Sequence, residues 1–376
     1  MTAMHHPSRA HSRDVSPLDP TESRPTAPDG PVARVVAQHR GRWLLLPEPI
    51  EADREPRPAT LAGRLARDPA ADARPVVGDR VRLDAGSSDG PARIVEVLPR
   101  HSLLRRGAPD GSARHQPLAA NVDVALVVVP ADRPVNPRRL EREVTLVWES
   151  GATPVVVLTK RDLCPDPDAA IAQARAAAPG VAVLAISVRD AIGLDRLQRW
   201  LSPGATVALI GASGAGKSTL VNHLLGDVRL RTGTVRGDGA GRHATTHREL
   251  VALRGGAFLI DTPGLRALAL WSEPLTEHAT ALDHTFADVA TLAAGCRFPD
   301  CRHRTEPACA VREALAAGRL SVDRLAAWES LERELAHLER RRTAAARAEG
   351  KAAERRGTRA LRTRVEEKWG ADRSGA

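Results

Sequence analysis

Thr206-Val207-Ala208-Leu209-Ile210-Gly211-Ala212-Ser213-Gly214-Ala215-Gly216-Lys217-Ser218-Thr219 is an apolar run that ends in Gly-x4-Gly-Lys-Ser. Thr206 to Ile210 suits a buried parallel strand, Gly211 to Ser218 a loop, and Thr219 to Leu225 a helix that Gly226 stops. Strand, glycine loop and helix in that order are the context a phosphate-binding P-loop requires. Glycines let backbone N–H groups turn inward around phosphate oxygens, and the helix N-terminus adds a partial positive charge. Gly211, Ala212, Ser213, Gly214, Ala215, Gly216 and Thr219 are therefore expected around the phosphates. Lys217 is expected on the β- and γ-phosphates and Ser218 on Mg²⁺.

Upstream, Ala119 to Val129 opens an α/β region with a buried strand. A helix over about Pro137–Glu149, a strand from Pro154, a helix over about Asp168–Ala177, a strand over Val181–Ile186 and a short helix over Leu194–Leu201 follow. Strands alternating with helices predict a parallel sheet. The strand from Pro154 runs into Thr159-Lys160-Arg161-Asp162, the pattern [Asn/Thr]-Lys-x-Asp that reads guanine in GTPases. A carboxylate at Asp162 accepts hydrogen bonds from guanine N1 and N2, which adenine does not offer, and a lysine stem covers the base plane. Ile186-Ser187-Val188 is the companion base loop, expected to present a backbone N–H to guanine O6.

Downstream, Gly239 to Leu250 reads as a polar loop in which Thr245 or Thr246 is the candidate to bind Mg²⁺ and sense the γ-phosphate. Ala257 to Gly264 is a buried strand ending in Asp-x-x-Gly. Asp261 is expected to hold Mg²⁺, and the Gly264 N–H to contact the γ-phosphate. Position 265, where Ras-like enzymes place a water-orienting Gln, is Leu, so unassisted hydrolysis is expected to be slow. His243 and His247 are alternative helpers or loop and RNA contacts. Base-reading loops precede the P-loop and both switch segments follow it, the order produced when a Ras-like chain has its termini joined and is cut elsewhere. A circularly permuted GTPase domain is expected over 115–270.

Cys296-x4-Cys301-x-His303-x5-Cys309 supplies three thiolates and one imidazole, a closed tetrahedral set suited to structural Zn²⁺ in a helical domain over 271–340. Cys164 stands apart as an ordinary thiol. Ser321 is an N-cap candidate, and Leu325, Trp328, Leu331, Leu335 and Leu338 form an apolar packing stripe. The tail, 341–376, is basic. From Glu339 onward twelve basic and six acidic residues carry most of the chain's formal charge of +9, as a solvated helix or a disordered arm that either touches RNA phosphates or solubilises the protein.

Toward the other end, residues 1–30 read as a disordered leader. Five short strands (Val32–Ala37, Arg42–Leu46, Thr60–Leu65, Val76–Leu83 and Ala92–Leu98) predict a small β-barrel of OB-fold type over 31–105. Such barrels bind nucleic acid by stacking bases on aromatics; Trp43 is the one aromatic here, so the barrel either contacts RNA through arginine and backbone or is purely structural. No apolar run approaches the roughly 20 residues of a membrane span and the start carries no secretory signal. Three of the four cysteines fall within fourteen residues, which suits a metal site in a reducing, cytoplasmic setting.

Together these features resemble the ribosome small subunit-dependent GTPase A family, over about residues 31–340. The resemblance rests on Ala119-Ala120-Asn121-Val122-Asp123, Gly241 to Glu249, Asp261 to Arg266 and the cysteine–histidine set. It implies an OB-fold, a central permuted GTPase, a zinc domain, one structural Zn²⁺, Mg²⁺ with GTP or GDP, and subunit-stimulated hydrolysis during late maturation of the small (30S) ribosomal subunit and its rRNA. A monomer is expected. Thr159 stands where GTPases in general carry Asn, losing an amide that ties the base loop to the P-loop. Two other classes compete: an RNA-binding scaffold that only holds nucleotide, and a P-loop phosphotransferase. Intact Lys217, Ser218 and Asp261 argue against the first, and Thr159-Lys160-x-Asp162 against the second.

Overall fold

A computed structural model of the chain describes residues 30–39, 41–50, 54–67, 73–84, 90–107, 115–226, 248–261 and 281–370. Five strands, β1 (Val32–His39), β2 (Arg42–Pro47), β3 (Arg57–Leu61), β4 (Arg80–Leu83) and β5 (Ala92–Val97), close into a barrel. Its order is β1-β2-β3-β5-β4 and back to β1. The β3–β5 pair is parallel and every other pair antiparallel, as an OB-type Greek key requires. Val35, Leu45, Val81 and Ile94 fill the interior, and so does Trp43, whose indole N–H donates to Pro75 O at 2.8 Å. Trp43 is thus a core residue and offers no surface on which to stack a base.

Two barrel boundaries differ from the sequence expectation. The third strand ends at Leu61, and Gly63–Ala66 turns into the short helix α1. The fourth begins only at Arg80, because the chain bends at Gly78. Gly78 has φ +91°, and a Cβ there would lie 2.1 Å from Ala120 O, so close backbone contact with the next region excludes any larger residue.

A hairpin of β6 (Leu103–Gly107) and β7 (His115–Ala120) leads to the second sheet. Its strands are β8 (Val124–Pro130), β9 (Thr153–Thr159), β10 (Ala182–Ala185), β11 (Thr206–Ile210), β12 (Arg248–Ala252) and β13 (Phe258–Asp261). They lie in the order β10-β9-β8-β11-β13-β12, all parallel except β12. Continuous Val, Leu and Ile runs, buried on both faces, explain the parallel arrangement. Helices α2 (Pro137–Glu149), α3 (Pro167–Ala177), α4 (Leu194–Gln198) and α5 (Lys217–Leu225) accompany it. Asn136 and Asp166 cap α2 and α3 through their side chains.

Helices α6 (Ala287–Ala293), α7 (Ala310–Ala316) and α8 (Val322–Gly370) build a third core around Phe286, Val289, Val311, Leu325, Leu331 and Leu335, joined by Leu146 of α2. Ser321 Oγ accepts the Arg324 N–H at 3.1 Å and caps α8. Arg324 is buried against α2: it donates to Glu141 (2.8 Å), to Asp288 (2.9 and 3.0 Å) and to the carbonyls of Ala177 and Thr285, over the Phe286 ring. Arg142 and Glu334 add a second ion pair between α2 and α8. Among the described residues no helix is long and apolar enough to cross a membrane.

Candidate nucleotide and metal sites

Strands β8 and β11 are neighbours, yet the chain goes from β8 to β9 on one side and from β11 to β12 and β13 on the other. This is a topological switch point, and the crevice beyond its carboxyl ends is where open α/β sheets hold ligands. The loops after β8, β9, β10 and β11 converge there.

The loop after β11 fits an anion. Gly211 has φ +137°, and a Cβ would come within 2.3 Å of Val128 O. Gly214 and Gly216 also have positive φ. Gly216 precedes α5 without a side-chain cap, leaving the first N–H groups of that helix directed at the hollow of the loop. Lys217 Nζ donates to Gly211 O at 2.6 Å and Ala212 O at 2.5 Å, which holds the ammonium over the loop. Ala212, Ser213 and Ala215 complete the loop; Ser218 and Thr219 stand in the first turn of α5.

The loop after β9 is tied to it. Thr159 Oγ1 donates to Ala215 O at 2.6 Å, so a hydroxyl makes the link that an asparagine amide was expected to provide and the expected loss does not occur. Gly216 packs beside the same hydroxyl, its hypothetical Cβ 3.3 Å from Thr159 Oγ1. Lys160 adopts the left-handed conformation (φ 58°, ψ 39°), and its ammonium pairs with Asp132 Oδ2 at 2.6 Å. Arg161 N–H donates to Ile186 O at 3.1 Å, joining this loop to the one after β10.

Ser187 joins the same group through its side chain. Its backbone N–H is committed to Ile192 O at 3.0 Å, so the donor for a base carbonyl is not Ser187 N. Ser187 Oγ donates to Asp162 Oδ1 at 2.8 Å and accepts the Asp190 N–H at 3.1 Å, which fixes the carboxylate at that end of the crevice. Asp132 was missed from sequence. Its only signal is position, a carboxylate two residues beyond the end of β8.

Asp261 is the last residue of β13, the strand beside β11. Its side chain, and all of Thr245, Thr246, Gly264, Leu265, His243 and His247, lie outside the described residues.

The third core carries a second constellation. Ligand atoms of Cys296, Cys301, His303 and Cys309 lie within 4.8 Å of one another. Cys296 Sγ and Cys309 Sγ are 3.6 and 3.5 Å from His303 Nδ1, and 3.9 Å apart. A tetrahedral ion with metal–sulfur bonds of about 2.3 Å and a metal–nitrogen bond of about 2.0 Å has edges of roughly 3.5–3.8 Å, so Cys296, Cys309 and His303 stand at about those spacings, with Cys301 close by. Burial holds the His303 imidazole below its usual pKa, against the pull of Glu306 and Glu329, which favours the neutral ring a metal ligand needs. The loop is braced by Glu306, whose carboxylate accepts its own N–H and those of Arg302, Arg304 and Thr305, lowering its pKa to about 2. The His303 ring packs at 5.6 Å against Trp328 of α8.

Comparison with known proteins adds relatives. A sequence model described as RsgA GTPase matches residues 97–271. A protein of Opitutus terrae named small ribosomal subunit biogenesis GTPase RsgA is 46% identical over 319 residues, 82% of this chain and 84% of its own length. The protein of the same name from Xylella fastidiosa (strain 9a5c) is 45% identical over 296 residues, 78% of this chain and 82% of that one. Among solved structures, YjeQ from Thermotoga maritima superposes with a TM-score of 0.61 at 26% identity, covering 81% of this chain and 98% of its own. YloQ, titled a circularly permuted GTPase, superposes with a TM-score of 0.58 at 24% identity, covering 82% and 95%, and shares the fold.

Proposed function

Because the chain belongs to the RsgA GTPase family, we propose that this GTP hydrolase acts in late maturation of the small ribosomal subunit. It binds the subunit and its rRNA in the GTP state and leaves after subunit-stimulated hydrolysis. The observation that carries the reading is the Thr159–Ala215 bond, which makes the base-reading and phosphate-reading loops walls of one crevice.

In that crevice Asp162, held by Ser187, takes the guanine N1 and N2 protons, while the stem of Lys160, anchored by Asp132, covers the base. The backbone N–H that the Ile186-Ser187-Val188 loop offers to O6 is that of Val188, since Ser187 N–H is bound to Ile192 O. Backbone N–H groups of residues 211–219 and the Lys217 ammonium bind the phosphates. Ser218 and Asp261 hold Mg²⁺, which neutralises charge on the β- and γ-phosphate oxygens. Thr245 or Thr246 and the Gly264 N–H sense the γ-phosphate. Leu265 cannot polarise water, so the missing help comes from the subunit. Cys296, Cys301, His303 and Cys309 hold one structural zinc ion, since three thiolates and an imidazole fill all four positions. The protein works as a cytoplasmic monomer.

Steady-state phosphate release from GTP and ATP, with and without purified small subunits, tests this. GTP-specific turnover raised strongly by the subunit is expected. Turnover indifferent to the subunit would remove the ribosomal role and leave a GTPase with another activator. Binding of GTP without turnover under either condition would favour the scaffold.

A further inference from the structure

Helix α2 carries a carboxylate that the nucleotide chemistry above does not use. Glu143 is buried and lines a cavity of about 780 Å³ between α2 and α8, together with Ile210, the residue before the phosphate loop. Its Oε1 accepts the Arg139 Nε–H at 2.8 Å. The pair does little for the helix itself. Arg139 stands in the first turn of α2, where a cation opposes the helix dipole, and an i,i+4 pair is weaker with its cation on the N-terminal side.

The other charges around the cavity are engaged elsewhere. Arg142 pairs with Glu334, and Glu141 with Arg324. Arg138 donates to Asp323 O at 3.0 Å, and Arg333 to Glu329 O at 3.0 Å. Among the described residues two cations act on Glu143: Arg139 on its own helix and Lys217 of the phosphate loop. Burial pushes its carboxyl above the usual 4.5, against the pull of both. Lys217 is also the cation that phosphates claim. Bound phosphates would neutralise its ammonium and bring several negative charges to the end of β11. Glu143 would then lose one of its two cations and gain anionic neighbours, and both changes favour the neutral acid.

We propose that Glu143 couples nucleotide binding to proton uptake. Ionised without nucleotide, it takes one proton from solvent on Oε2 when the phosphates claim Lys217, and returns it when the nucleotide leaves. Uptake occurs between the carboxyl's pKa without nucleotide and its higher value with nucleotide, so affinity rises as pH falls through that window and is level on either side. This rests on the nucleotide reading above and adds a form of regulation to the same site.

The test is calorimetry of Mg²⁺–GDP binding to the full chain, in buffers of different ionisation heat from about pH 5.5 to 8.5, which yields Kd and the protons taken up per nucleotide. Protonation of GDP itself is common to all variants, so comparison with the parent isolates the protein's share. Glu143→Gln should take up fewer protons, by up to about one per GDP, and at the alkaline end should bind GDP roughly tenfold more tightly, having lost a nearby negative charge. Arg139→Gln removes a cation that holds the carboxyl down, so the window should move to higher pH. Equal proton uptake in the parent and Glu143→Gln overturns the proposal. So does an unmoved window in Arg139→Gln, or weaker binding by folded Glu143→Gln at every pH, which would make Glu143 a support for Lys217 and no more. The Arg139 side chain is 50% exposed, so its variant decides the matter even where Glu143→Gln does not fold. Failure of the nucleotide reading is distinct: a parent chain that binds no GDP removes that reading and the proposal with it.

Discussion

Thr159 illustrates what one hydroxyl decides. Its partner, Ala215 O, is 56 positions away, so the bond is invisible to any local reading, although both loops were recognisable from strand, glycine and carboxylate patterns. Thr159→Val keeps the shape and removes the donor. Loss of one buried hydrogen bond, about 1–1.5 kcal/mol, should weaken GTP binding roughly 5- to 13-fold in a titration, with Thr159→Asn restoring most of it. Asp162→Asn should cost more. Replacing a charged acceptor of two base protons is worth about 2–3 kcal/mol, so GTP affinity should fall roughly 30- to 150-fold and preference over ATP should shrink; undiminished selectivity would remove Asp162 from base reading. Ser187 was found by its position in the companion loop; the side-chain bond by which it fixes Asp162 has no local signature. Asp132 went unnoticed because a lone carboxylate after a strand carries no pattern until Lys160 is seen to reach it.

Helices were the most legible elements. Asn136-Pro137 and Asp166-Pro167 announce α2 and α3 with a capping side chain and a proline in the first turn, and both begin there. Barrel strands were less so, because Gly78 acts through a partner elsewhere in the chain and a run of β-formers gives no sign of where pairing stops. The metal-ligand spacing was readable, whereas the contacts of Arg324 were not, since they join segments 36 to 183 residues apart. Two predictions belong at this scale. Cys301→Ser should lower bound zinc from about one equivalent toward none, measured by elemental analysis, and should lower the melting temperature; full metal content would refute the ligand set. Arg324→Met should leave Glu141 buried with its charge uncompensated. Burial already raises the Glu141 pKa against the pull of Arg324. Denaturant titration should show a loss of about 3–5 kcal/mol, and a change under 1 kcal/mol would mean that the pair does not hold α8 to α2.

At the scale of the whole molecule, barrel and sheet are locked by polar groups. Asp79 is fully buried, takes both arms of the Arg100 guanidinium at 2.7 Å, and accepts Val76 N–H. Asn121 Nδ2 donates to Gly78 O, Arg34 donates to Thr206 Oγ1 at 2.6 Å, and Asp123 accepts Thr206 N–H at 2.7 Å while facing His101 at 3.2 Å. This gives the run Ala119 to Asp123 a physical job that its sequence only hinted at. Burial tends to raise the Asp123 pKa, but the bonds from His101 and Thr206 outweigh it and the net shift is downward from 3.8. A depressed carboxylate contributes stability that is complete above its unfolded pKa and is lost as pH falls through the lower folded value. Asp123→Asn should therefore lower the melting temperature at pH 6 and flatten its decline below about pH 4, seen by calorimetry across pH; parallel curves would show that the pair is silent. One further row of residues links the two sheets. Ala37 of β1 lies opposite Glu249 of β12, and Glu249 lies opposite Asp261 of β13. Because side chains alternate along a strand, β12 cannot slide by one residue without turning its buried face outward, and the next allowed register is about 7 Å away. The junction therefore has no intermediate register: β12 and the barrel strand β1 either keep this pairing and move together, or part along it.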